Sequence, residues 1–140
     1  MFEKILLAVD GSKHALHAAR TAADLARTLN AKEFRIVVAY DFIPPYLGEP
    51  NMQYAIEARM EEANTILDNA VKIVGEIPCE IHTEVIEGPE AEAIINVAST
   101  RKSDVIVMGS RGHGTLAGLL LGSTSQKVVA HAPCPVLIVR

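Results

Sequence analysis

Four stretches of this sequence are apolar without alternation: Ile5-Leu6-Leu7-Ala8-Val9, Ile36-Val37-Val38-Ala39, Val105-Ile106-Val107-Met108 and Val136-Leu137-Ile138-Val139. A strand with one wet face alternates polar and apolar side chains, so a continuous run needs cover on both faces. Longer segments between these runs are apolar at helical steps. Leu16, Ala19, Ala23, Ala26 and Leu29 mark a helix from Lys13 to about Asn30, with Ser12 as its N-cap. Ile56, Met60, Ala63, Leu67, Ala70 and Val74 mark a longer one, from Met52 to Gly75. Ala91, Ile94, Ile95 and Ala98 mark a third, opening at Pro89 and ending near Arg101. A fourth runs from near Ser123 to just before Pro133. The segment Glu80 to Glu87 is a more polar strand, suited to an edge. Asp41 to Pro50, with three prolines and a glycine, reads as loop. Strands alternating with helices predict an α/β fold: one parallel five-stranded sheet, right-handed crossovers, helices on both faces. The 140 residues suit a single domain over 1–140.

Function concentrates after the run that ends at Met108. Five glycines follow, Gly109, Gly112, Gly114, Gly118 and Gly122, and then Ser123-Thr124-Ser125. The order is strand, glycine loop, helix start. Glycine lets a backbone or a ligand come close, and a helix start offers unpaired N–H groups and a positive dipole end. Together they suit phosphate. A P-loop requires a lysine after the second glycine, and Thr115 stands there instead. A dinucleotide fingerprint requires its third glycine one position before Gly118. The spacing that fits is G-x-x-G, nine residues, then G-Ser: Gly109, Gly112, Gly122, Ser123.

The formal charge of −4 and the absence of a basic stripe argue against a nucleic-acid partner. No apolar run approaches the about 20 residues of a membrane span. The opening Met1-Phe2-Glu3-Lys4-Ile5 lacks the features of a signal peptide. Cys79 and Cys134 have neither CxxC nor metal spacing, which fits free thiols in a reducing cytoplasm.

The glycine spacing, the opening I-L-L-A-V-D-G-S, Gly88-Pro89, D-V-I-V-M-G-S-R-G-H-G and A-P-C-P-V-L-I-V resemble the universal stress protein family, in its ATP-binding branch, from end to end. The resemblance implies a Rossmann-like sheet of the adenine nucleotide α-hydrolase type, in strand order 3-2-1-4-5. That order makes strands 1 and 4 neighbours at the switch point, where open α/β sheets bind ligands. The resemblance also implies ATP as ligand, with ADP or AMP as alternatives and room for Mg2+ or Mn2+ beside the nucleotide. By the same resemblance Asp10 lies by the ribose, Ala39 offers backbone to the adenine edge, and Met108 lines base or sugar. Gly109, Arg111, Gly112, His113, Gly122, Ser123 and Thr124 would surround the phosphates. Homodimers are implied too. The aliphatic, uncharged C-terminal strand points the same way, because a free edge usually carries protecting charge.

Each site residue has a plainer role beside this one. Asp10 can complement a helix dipole, and Ser12 is a cap before it is a ligand. Arg111 and His113 can be solvated loop residues. His14 and His17 sit three apart on one helix, but no carboxylate or thiol completes a metal set. Ser110, Thr115 and Ser125 can be capping groups or phosphorylation sites. Three function classes follow: a nucleotide-binding regulatory module in the stress response, a weak ATPase or autophosphorylating enzyme, and an interaction dimer with structural nucleotide. Without a P-loop lysine or a clear acid/base pair, hydrolysis is expected to be slow at most.

Overall fold

The computed structural model describes residues 2–111 and 121–140. Five strands form one parallel sheet in the order β3-β2-β1-β4-β5. They are β1 (Lys4–Ala8), β2 (Glu33–Tyr40), β3 (Ile81–Glu87), β4 (Val105–Gly109) and β5 (Val136–Val139). The helices are α1 (Lys13–Leu29), α2 (Asn51–Val74), α3 (Glu90–Thr100) and α4 (Ser123–His131). A 3-10 turn, Pro45–Leu47, interrupts the segment expected to be all loop. In the centre, Leu6 of β1 stands in register with Arg35 of β2 and Ile106 of β4.

The uniform runs are buried on both sides. Ile5, Leu7, Phe34, Ile36, Val105 and Val107 face α1 and α2. Leu6, Ala8, Val37, Ile106 and Met108 pack in a second layer with α3 and Val128 of α4. Each large aliphatic side chain so enclosed contributes roughly 1.5–3 kcal/mol.

The buried face of α1 consists of Ala15, Ala18, Ala19, Ala22, Ala23 and Ala26. Leu16 is only half-buried and Leu29 is exposed, although both share the expected stripe. Alanines win because the helix lies close to the sheet. Ser12 caps α1 by accepting from the Ala15 N–H at 3.2 Å. Asn30 ends it in the left-handed region, at φ 52°, a conformation asparagine tolerates better than most residues.

The polar strand β3 does lie at an edge. Its Glu84 holds Arg35 of β2 at 3.7 Å and Arg101 at 2.7 Å. A row that would otherwise strand a buried guanidinium thereby gains a counter-charge. At the amino ends of the strands, the foot of the sheet, Asp104 Oδ2 accepts from the backbone N–H groups of Glu3 at 3.0 Å and Lys4 at 2.9 Å. Asp104 N–H donates back to the Lys4 carbonyl at 2.8 Å.

Candidate functional site

The carboxyl ends of the strands form the head of the sheet. There β1 leaves through Asp10-Gly11-Ser12 into α1. Gly11 turns at φ 84°, which a side chain would strain. Asp10 Oδ1 accepts from the Ser12 N–H at 2.9 Å and so tightens this corner. On the neighbouring strand, Gly109 and Ser110 end β4. Three elements converge on them. Ser110 N–H donates to the Val139 carbonyl at 2.8 Å, and Gly122 N–H donates to the Ser110 carbonyl at 2.8 Å. The Ser125 hydroxyl lies 2.9 Å from the Gly109 carbonyl and 3.1 Å from the Ser110 carbonyl. From α1, His14 Nδ1 lies 3.4 Å from Ser110 Oγ.

Between these corners opens a cleft of about 530 Å3. Asp10, Ala39, Met108, Gly109 and Arg111 line it, together with Gly122, Ser123 and Thr124 at the start of α4. Eight of the ten residues expected from sequence thus meet in one cavity. The other two, Gly112 and His113, lie outside the described residues, as does Thr115.

Two features of the cleft suit an anion. Arg111 Nε is enclosed and has no hydrogen-bond partner among the described residues. Enclosing a guanidinium N–H without an acceptor is costly, and an anion in the cleft that Arg111 lines would offset part of that cost through its charge. The second is the N-terminus of α4. Its N-cap is Gly122, and among the described residues no side chain caps it. The first-turn N–H groups and the positive dipole end therefore open toward the cavity.

The opposite wall comes from α2, through Arg59, Glu62, Ala63 and Ile66. This wall is not legible in the sequence, because helical spacing shows which face is apolar but not what the other residues overlook. Arg59 and Glu62 pair at 3.6 Å, at the rim. Tyr40, Asp41, Gly88 and Glu90 complete the mouth. Burial, the nearby Glu87 charge and a hydrogen bond to that carboxylate raise the Tyr40 phenol above its ordinary value. Tyr40 accordingly stays neutral and donates to Glu87 Oε2 at 3.3 Å.

His14 and His17 do not face open solvent together. His17 Nδ1 lies 3.2 Å from the Arg140 carbonyl, and His14 faces Ser110. Among the described residues no group of three His, Cys, Asp or Glu side chains is placed to hold a metal. Burial pushes both thiols up, helped by Glu33 at Cys79 and by Asp104 at Cys134, so neither is an activated nucleophile. No helix among the described residues is long and apolar enough to cross a membrane.

Residues 1–140 match the Universal stress protein family along their whole length. The chain belongs to that family. It is 47% identical over 140 residues to a universal stress protein of Thermus aquaticus, with both chains covered in full. Among solved structures, the universal stress protein UspA from Lactobacillus plantarum superposes with a TM-score of 0.86 at 27% identity, covering 99% of this chain and 98% of its own. A universal stress protein in complex with cAMP superposes at 0.66 with 29% identity, covering 97% and 95%. The Archaeoglobus fulgidus protein, in complex with dAMP, shares the fold at a TM-score of 0.70 and 23% identity, with both chains covered in full. Relatives of this universal stress protein thus bind adenine nucleotides, and the strand order implied by the family resemblance is the one observed.

Proposed function

We propose that the chain belongs to the ATP-binding branch of its family and serves as a nucleotide-binding regulatory module in the stress response. One observation carries this reading: Arg111, whose Nε has no hydrogen-bond partner among the described residues, and the start of α4, which no described side chain caps, line the same cleft. In this reading Arg111, Ser123 and Thr124 meet the phosphates, Asp10 the ribose, and Ala39 and Met108 the base. Gly112 and His113 join the phosphate side on sequence grounds alone. The cAMP bound by a relative supports an adenine base. ADP and AMP are the competing ligands, and Mg2+ or Mn2+ would accompany the longer nucleotides. Phosphoryl transfer needs a positioned nucleophile and strong charge neutralisation. With no P-loop lysine, turnover is expected to be slow at most. The reading includes a homodimer formed through β5.

The test begins with the mass of any nucleotide released on denaturing protein purified without added ligand. Calorimetry with AMP, ADP and ATP follows, on the natural chain and on Arg111→Ala. A lost charge-assisted hydrogen bond of about 1.5–3 kcal/mol should weaken ATP by about tenfold or more, and AMP by less. Equal losses for all three would make Arg111 a structural residue. No binding of any of them would sink the reading. Turnover of ATP above that of the Arg111→Ala control would favour an enzyme.

A further inference from the structure

The apolar stripe of α2 outruns the sheet. Ile56 and Met60 continue the line of Ala63, Leu67, Ala70 and Val74, yet only the last four are buried. The first half of the helix, through Glu62, has no buried residue. The segment leading into it is unusually aromatic. Four of the chain's six aromatic residues fall between Tyr40 and Tyr54. Of these, Phe42 is 64% exposed, Tyr46 86% and Tyr54 64%. In a chain so poor in aromatics, exposed rings so close in sequence offer apolar area to a partner.

Charge selects what covers it. Residues 41–62 hold five carboxylates and one cation, a net −4, which is the net charge of the entire chain. The rest of the molecule is neutral by the same count. On α2, Tyr54, Glu57 and Glu61 stand at steps of three and four, so ring and carboxylates share one helical face. A second copy placed on this surface would set −4 against −4. Nucleic acid and anionic bilayers are repelled for the same reason. A cationic polypeptide is attracted, and its Lys or Arg side chains can lie against both carboxylates and ring faces.

We propose that the overhang of α2 and the segment before it form a docking surface for a basic, amphipathic segment of a protein partner. Leucine-like side chains of that segment cover Phe42, Tyr46 and Tyr54. Its cations meet Glu49, Glu57 and Glu61. The six residues named as its contacts lie outside the lining of the cleft.

Short synthetic peptides patterned as helices test it, one leucine–lysine, one leucine–glutamate and one serine–lysine. Backbone amide resonances of the full chain, without nucleotide, report where each binds. The leucine–lysine peptide should bind saturably, with shifts confined to residues 41–62. The double variant Glu57→Gln with Glu61→Gln should weaken it by about tenfold, as should Tyr46→Ser with Tyr54→Ser. All four positions are exposed and lie outside the cleft, so each variant should keep the natural melting temperature. Absent binding, equal binding of either control peptide, or shifts centred elsewhere would overturn the proposal. So would shifts at 41–62 that grow with protein concentration alone, because a second copy would then be the occupant.

Discussion

A β-carbon on Gly109 would lie 2.7 Å from His14 Cβ, 2.8 Å from the His14 carbonyl carbon and 3.0 Å from the Ala15 nitrogen. Two of those three atoms are helix backbone and cannot swing aside. Gly109→Ala is therefore expected to destabilise the fold by about 1–3 kcal/mol, read as a lower urea midpoint. Glycine at this position was legible in the sequence as part of a phosphate motif. Its close partner was not, because the approach of α1 to β4 joins residues far apart in the chain. Ser125 teaches the same lesson. A serine in a hydroxyl cluster reads equally as a cap or a phosphorylation site, yet this one is buried, and its hydroxyl ties α4 to the end of β4. Ser125→Ala should cost about 1–3 kcal/mol. Ser123→Ala, on an exposed neighbour, should stay within about 0.5 kcal/mol. Comparable losses for the two, by the same urea titration, would remove the positional role given to Ser125.

Helix α2 is two halves under one periodicity. The spacing from Ile56 to Val74 gave its existence and its ends to within a residue. It could not show where the sheet stops, since no local pattern records the extent of a distant surface. The consequence is measurable. Leu67→Ala empties a core position and should cost about 2–5 kcal/mol. Ile56→Ala, on the overhang, should cost less than about 1 kcal/mol. Amide hydrogen exchange should follow the same division, faster before Ala63 than after it. Uniform protection along the helix would contradict it. The cleft inherits this geometry: the end of β4 and the start of α4 that line it were legible in the sequence, but its α2 wall was not.

The two edges of the sheet are guarded differently. β3 carries His82, Glu84 and Glu87, and charge of this kind discourages further pairing. β5 is Val-Leu-Ile-Val, and Leu137 on it is 38% exposed. Nothing in the sheet lies beyond it among the described residues. A second β5 running antiparallel across a two-fold axis would satisfy its edge. The protein should therefore sediment as a dimer at micromolar concentration, with or without ATP, and Ile138→Pro should shift it toward monomer, because alternate N–H groups of β5 face β4 and that of Ile138 faces the free edge. A natural chain that sediments as a monomer under both conditions would show that β5 is covered in another way. The strand order behind this argument came from family resemblance, because periodicity identifies strands and leaves their sequence across a sheet open. At the foot, meanwhile, Asp104 gathers the first residues of the chain and the entry to β4 with a single carboxylate. Every described residue assigned to the nucleotide stands at the other end. A designer wishing to change what this scaffold carries can rewrite the connections at the head and leave that latch, and every strand above it, untouched.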